Sequence, residues 1–364
     1  MNTIKHYGWE SSPFTAKTRA YLRFKNIEFD DIHPQAYTLY TRIKPAIGYI
    51  MMPVVELSDG TFLQDSSRII DHFESQSSSI TPPGTRQRLV SSLLELYADE
   101  WLPIIALYTR WMIPENRKFA QADFGRCAFP WLPGFISSRL AKSMASKMSG
   151  YLPVLGITNA TDASIRAWIG TLSNTLNTHF ETHDFLLGSS PCIGDFALAA
   201  PFYAHVWRDP GSRHLLANQT HLLSWIHRVQ AGPSNTGSFL PNDEIPDTIL
   251  PVLKHQAIEQ MPVIRETKKR VLTYAQKRPP NTSIPRSLGD MTAQIGGQET
   301  TRRVLVMNQW KAQRVADSLQ GVPSSDADSA IQWAIDTLGL RAEDLSEPPA
   351  RVTYQGYRLS LASS

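Results

Sequence analysis

The residues best placed for chemistry stand at predicted helix starts. In "SSPFTAKTRAYLRFKN", Ser11 and Ser12 precede Pro13, which suits a first helical turn, so Ser12 falls at the N-cap. In "MMPVVELSDGTFLQDSSRIIDHFE", Pro53 stands just before a strand, and Asp65 and Ser66 crowd the start of a second helix. A helix N-terminus presents unpaired N–H groups and the positive end of the helix dipole, which attract a carboxylate, while the Asp65 carboxylate suits an ammonium. Serine and aspartate are equally ordinary caps. Both readings stay open at this point.

Other candidates are fewer. Tyr97, Trp101, Tyr108 and Trp111 form an aromatic stripe at helical spacing, either core or the wall of an apolar substrate site. His179 and His183 lie four apart and could share a metal, but no third ligand follows at suitable spacing. A solvated helix face is expected there, and no metal. The chain has no phosphate-binding glycine loop, nucleophile elbow or zinc-protease motif.

The elements that must position these groups read clearly. Within 364 residues there is room for two or three domains, and 42% hydrophobic with 19% charged residues is globular composition. A net charge of +3 is a mild excess that does not by itself argue for nucleic acid, and no such partner is expected. Two cysteines, Cys127 and Cys192, allow one bridge at most and suit a reducing compartment. No leader-like or spanning apolar run is seen, so a cytoplasmic protein without a membrane partner is expected.

A strand over 3–7, a helix from Ser12, a strand in "IEFDDIH", an irregular helix ending near Gly48, a hairpin about Ser58-Asp59-Gly60 and a helix after Asp65 make a compact β-α-β-α-β-β-α unit. On the first helix Ala16, Ala20 and Phe24 form the apolar face, leaving Lys17, Arg19, Arg23 and Lys25 to solvent. "SQSSSITPPGT" reads as a linker. Helices follow, the first interrupted by Pro103, and "GDFALAAPFYAHVW" is apolar nearly all round, hence central. Beyond "KRPPNTSIPRSLGD" come a hairpin, two helices and a closing hairpin.

This layout resembles the glutathione transferase superfamily. Met52-Pro53-Val54 is similar to its apolar-Pro pair, Asp65-Ser66 to its acidic-Ser pair, "SSPF" to the Ser-Pro-Phe of plant-type and omega-like members, and "LLGSSPCIGDFAL" to its capping motif. The capping position is here Cys192, a poor acceptor, with Asp195 three residues on. The whole chain is similar to a group of large bacterial transferase-like proteins with a C-terminal extension. The resemblance implies an α/β thioredoxin-like N-terminal domain (1–79), an all-α domain (85–277) and an α+β extension (278–364). The segment 115–156 and the region after Lys277 exceed a usual transferase.

For function, the resemblance implies glutathione as co-substrate and a small apolar electrophile. Ser12, or alternatively Ser11, would donate a hydrogen bond to the glutathione sulfur and favour its thiolate. Met52, exposed to the ligand by a cis Met52–Pro53 bond, would pair with the cysteinyl unit, and Asp65 and Ser66 would hold the γ-glutamyl end. Tyr108 and Trp111 would wall the electrophile site, and a homodimer is expected. The alternative is a non-catalytic transferase-like binding or interaction protein.

Overall fold

The structure is a computed structural model and describes residues 3–76, 79–232 and 237–363. Ser77 and Ser78 of the linker stretch lie outside the described residues. The first unit runs β1 (Ile4–Tyr7), α1 (Pro13–Phe24), β2 (Phe29–Ile32), the short α2 (Ala36–Thr38) and α3 (Lys44–Ile47), β3 (Val54–Glu56), β4 (Phe62–Gln64) and α4 (Ser66–Glu74). Its sheet has the order β2-β1-β3-β4, with β1 and β2 parallel and both other pairings antiparallel. This is a thioredoxin-like fold. The β3–β4 turn forms because Asp59 accepts the Thr61 N–H at 2.8 Å and Gly60 takes φ +85°.

Helices follow: α5 (Thr85–Glu100), α6 (Pro103–Met112), α7 (Pro114–Ala128), α8 (Gly134–Leu140), α9 (Lys142–Ser149), α10 (Asp162–His179), α11 (Ile193–Pro201), α12 (Thr220–Ala231), α13 (Leu250–His255) and α14 (Met261–Ala275). The C-terminal extension adds the hairpin β5 (Ser287–Ile295) and β6 (Gln298–Leu305), then α15 (Met307–Asp317), α16 (Ser324–Leu338), α17 (Ala342–Leu345) and the hairpin β7 (Val352–Gln355) and β8 (Arg358–Leu361). Compactness divides the chain into two units, Met1–Ile80 with Ile104–Leu152 and Phe196–Thr236, and Thr81–Pro103 with Pro153–Asp195 and Gly237–Ser364.

In the first unit, α1 shows where surface patterning misleads. Lys17 and Arg19, expected in solvent, are each 1% exposed, and Lys25 is nearly buried against Glu74. Only Arg23 keeps substantial exposure. The physical reason is that α4 and α12 both pack on α1, covering the stripe that a lone amphipathic helix would leave wet. Charge there survives by pairing: Arg19 meets Glu10 at 2.7 Å and Asp31 at 2.6 Å, and Lys17 donates to the Ser67 hydroxyl at 3.4 Å.

Asp31 carries a testable consequence. Burial works to raise its pKa, but the hydrogen bond from His6 and the Arg19 charge outweigh it and bring the carboxyl down to about 2. A folded pKa below the unfolded one gives stability that is present above pH ~4 and is lost as pH falls toward ~2. Asp31→Asn is therefore expected to remove on the order of 2 kcal/mol at neutral pH and to flatten that acid limb. Urea titrations across the window check this; an acid limb as steep as wild type refutes it.

In the second unit, the extension shares its core with the helices. Val271 of α14 clusters with Ile284, Val306, Val352 and Leu361, and Tyr274 and Trp310 close the edges. α15 lies along α5, where Lys311 pairs with Asp99 at 2.7 Å with both side chains buried. The Arg302 guanidinium sits 4.8 Å over the Trp101 ring, and Ser164 of α10 donates to the Ile295 carbonyl at 2.8 Å. A cleft of about 480 Å³ opens within the extension between Trp310, Gln313, Asp317 and Arg351, with no sequence-predicted site residue in its lining.

Candidate functional site

Strand register brings the candidates to one end of the N-terminal sheet. Tyr7 pairs with Val54, and Val54 pairs with Gln64, so these three residues stand side by side. The chain leaves Tyr7 toward Ser11 and Ser12, enters Val54 from Met52-Pro53, and leaves Gln64 into Asp65-Ser66. The N-termini of α1 and α4 thus open at the same sheet end, with the backbone of Met52 between them. The Met52–Pro53 bond is cis.

Ser12 caps α1: it has extended backbone, and its hydroxyl oxygen accepts the Thr15 N–H at 3.2 Å. That leaves the Ser12 O–H to donate outward. Ser11 is buried, and its carbonyl is clamped. Arg110 of α6 donates to it at 2.8 Å, and His205 Nε2 stands 3.0 Å from it. Arg110 also makes a two-pronged pair with Asp209, at 2.8 and 2.7 Å, and donates to the Ala204 carbonyl at 3.0 Å. Burial, and then the Arg110 charge, push the His205 pKa well below its ordinary value.

Asp65 caps α4 from a left-handed φ of +77°, accepting the N–H groups of Ser67 at 2.9 Å and Arg68 at 3.3 Å on the same oxygen, Oδ1. Next to it the Ser66 hydroxyl is buried with no hydrogen-bond partner among the described residues. An orphaned hydroxyl at a helix N-terminus is the arrangement that an anionic ligand oxygen completes. Lys17, close to the same helix start through Ser67, is a site neighbour that sequence reasoning placed in solvent. Arg110, His205 and Asp209 were missed as well. Nothing in their spacing marks them, since Arg110 lies 99 residues from both Ser11 and Asp209.

Tyr108 and Trp111 are buried in the core, Trp111 meeting Phe124 edge-on at 5.9 Å. They are not brought to the surface beside the sheet end. Tyr97 and Trp101 are buried too. His179 corrects the expected solvated face: it is buried, within 2.7 Å of the Thr248 hydroxyl, and stacks on His183 at 4.8 Å between centroids. Burial, with His183 beside it, lowers its pKa to about 4. No group of three or more metal-ligating side chains occurs among the described residues.

At the start of α11, Asp195 accepts the N–H groups of Leu186 and Cys192, both at 2.9 Å, so the reaching-back half of the cap is made. Both cysteines are free thiols. Burial, then nearby carboxylates, push the Cys127 pKa up to about 11 and Cys192 well above its usual value. Both shifts disfavour the thiolate at neutral pH.

Residues 7–83 match the family model described as glutathione S-transferase, N-terminal domain. Over that stretch the chain is similar to the glutathione S-transferase N-terminal domain. No curated protein matches the sequence. Solved structures that it is similar to include a glutathione S-transferase from Xanthobacter autotrophicus Py2, at 19% identity over 66% of this chain and 97% of that one, TM-score 0.38. A glutathione transferase from Phanerochaete chrysosporium is 16% identical over 63% of this chain and 96% of that one, TM-score 0.44. One from Ceriporiopsis subvermispora, solved in complex with glutathione, is 16% identical over 64% of this chain and all of that one, TM-score 0.43.

Proposed function

We propose that this glutathione transferase-like chain binds glutathione at the end of the N-terminal sheet and activates its thiol for attack on an apolar electrophile. The observation that carries this reading is the register that aligns Tyr7, Val54 and Gln64, because it gathers two helix N-termini around the backbone of Met52. The Met52 backbone would pair with the cysteinyl unit. Ser66 and the α4 N-terminus would hold the γ-glutamyl carboxylate, and the Asp65 carboxylate its ammonium. The orphaned Ser66 hydroxyl supports that fit.

Ser12 is the group on which activation rests. Its O–H would donate to the sulfur while its oxygen stays on Thr15, and the α1 dipole would add to thiolate stabilisation. The thiol proton passes to solvent, and the sulfur lone pair forms the new bond to the electrophilic carbon as a leaving group departs or a conjugated π pair shifts. Ser12→Ala is expected to lower turnover about ten- to a hundredfold, the equivalent of ~1.5–3 kcal/mol, with glutathione affinity nearly kept. Asp65→Ala should do the reverse. Calorimetric binding and a model-electrophile assay separate the two; full activity in Ser12→Ala with loss in Ser11→Ala would move the role to Ser11.

The burial of Tyr108 and Trp111 favours a second reading, glutathione binding without turnover, since neither ring lines an open electrophile site. Thermal stabilisation by millimolar glutathione with no conjugation of several electrophile classes would select it. Absence of stabilisation would overturn both readings.

A further inference from the structure

From Phe124 to Thr161 the chain holds no acidic residue, while Arg126, Arg139, Lys142 and Lys147 all fall within that segment. The structure places an exposed apolar surface there. α8 crosses α7 at Gly125, where an added Cβ would come within 2.6 Å of the Ser137 carbonyl carbon. Gln121 of α7 donates to the Ser138 carbonyl at 3.0 Å, so the Ser137 side of α8 is committed to α7. The opposite side is forced outward. Phe135 and Arg139 are an i,i+4 pair on it, Ile136 and Leu140 flank it and are also exposed, and Trp131 stands just before; Phe135 is 78% and Trp131 59% exposed.

Scattered exposed apolar residues need no explanation, but a cluster with two aromatics does. Arg139, Lys142 and Lys147 are exposed, and none makes an ion pair among the described residues. Arg126 pairs with Asp123. Apolar and aromatic side chains framed by unpaired cations suit the headgroup layer of an anionic membrane, where rings enter the interface and basic groups meet lipid phosphates. A second copy fits less well: a two-fold contact would set this cationic segment against itself with no carboxylate inside it. No helix among the described residues is long and apolar enough to cross a membrane, and surface docking requires none.

We propose that the α8–α9 face docks on an anionic lipid bilayer through Trp131, Phe135, Ile136 and Leu140, with Arg139, Lys142 and Lys147 against the phosphates. Flotation of the full chain with phosphatidylcholine vesicles, with and without phosphatidylserine, tests it. Binding should need phosphatidylserine and fall with added salt. Trp131→Ser with Phe135→Ser should weaken it about tenfold or more, and each of Lys142→Glu and Lys147→Glu about fivefold or more. These positions are exposed, and far-UV circular dichroism confirms that the variants fold. No flotation on phosphatidylserine vesicles, equal flotation on both kinds, or flotation unchanged in the variants overturns the proposal. So does sedimentation showing a dimer that Phe135→Ser dissociates without any vesicle binding.

Discussion

Arg110→Met is expected to destabilise the protein by about 3–5 kcal/mol, among the largest single effects in the first unit. The Arg110 side chain is buried, and it satisfies the Asp209 carboxylate together with the carbonyls of Ser11 and Ala204. Removing the guanidinium takes both close hydrogen bonds from the buried Asp209 carboxylate and one donor from each of two carbonyl oxygens, and the buried carboxylate keeps most of its desolvation cost. The cost is mostly that of the orphan, which a second substitution can show. Arg110→Met with Asp209→Leu should recover much of the loss, since a buried pair replaced as a whole by apolar residues is often near neutral. Arg110→Lys should fall between, because an ammonium cannot reproduce the two-pronged geometry. Urea unfolding followed by tryptophan fluorescence measures all three. A penalty under ~1 kcal/mol for Arg110→Met, or none recovered in the double variant, would show that the pair does not hold this part of the fold.

The same residues mark what sequence could and could not reveal. Ser12 and Asp65 were legible as caps because capping is local: the acceptor and the N–H it meets lie two or three residues apart. The hairpin about Gly60 was legible for the same reason. The clamp on Ser11 was not, because its partners come from α6 and from the stretch just after α11 and leave no periodic trace in either. Lys17 and Arg19 show the limit of patterning more sharply. A 3.6-residue period identifies which side of a helix faces a core, but not whether another helix covers the other side, and on α1 both α4 and α12 do. His179 follows the same logic, its polar atoms absorbed by Thr248 and the Phe185 carbonyl rather than by water.

In the second unit, Lys311→Met is expected to cost about 3–5 kcal/mol and to loosen the extension from the helices before the helices themselves unfold. Lys311 of α15 and Asp99 of α5 pair at 2.7 Å with side chains only 2% and 3% exposed. An uncompensated ammonium or carboxylate at that depth would be unfavourable by several kcal/mol, so the pair contributes strongly. One turn along, Arg314 approaches Glu95 at 3.5 Å with partial exposure, and that pair is screened enough to contribute less. Lys311→Met takes the buried ammonium away from Asp99, whereas Arg314→Met should cost under ~1 kcal/mol. The Val271, Ile284, Val306, Val352 and Leu361 cluster remains in both variants, so the extension should stay associated under native conditions and separate early in denaturant. Hydrogen exchange resolves this. In Lys311→Met the amides of α15 and β7 should lose protection well before those of α10, with Asp99→Asn reproducing the pattern and Lys311→Met combined with Asp99→Leu restoring much of it. Equal protection across the unit in Lys311→Met, or a loss no larger than that of Arg314→Met, would mean that apolar packing alone docks the extension.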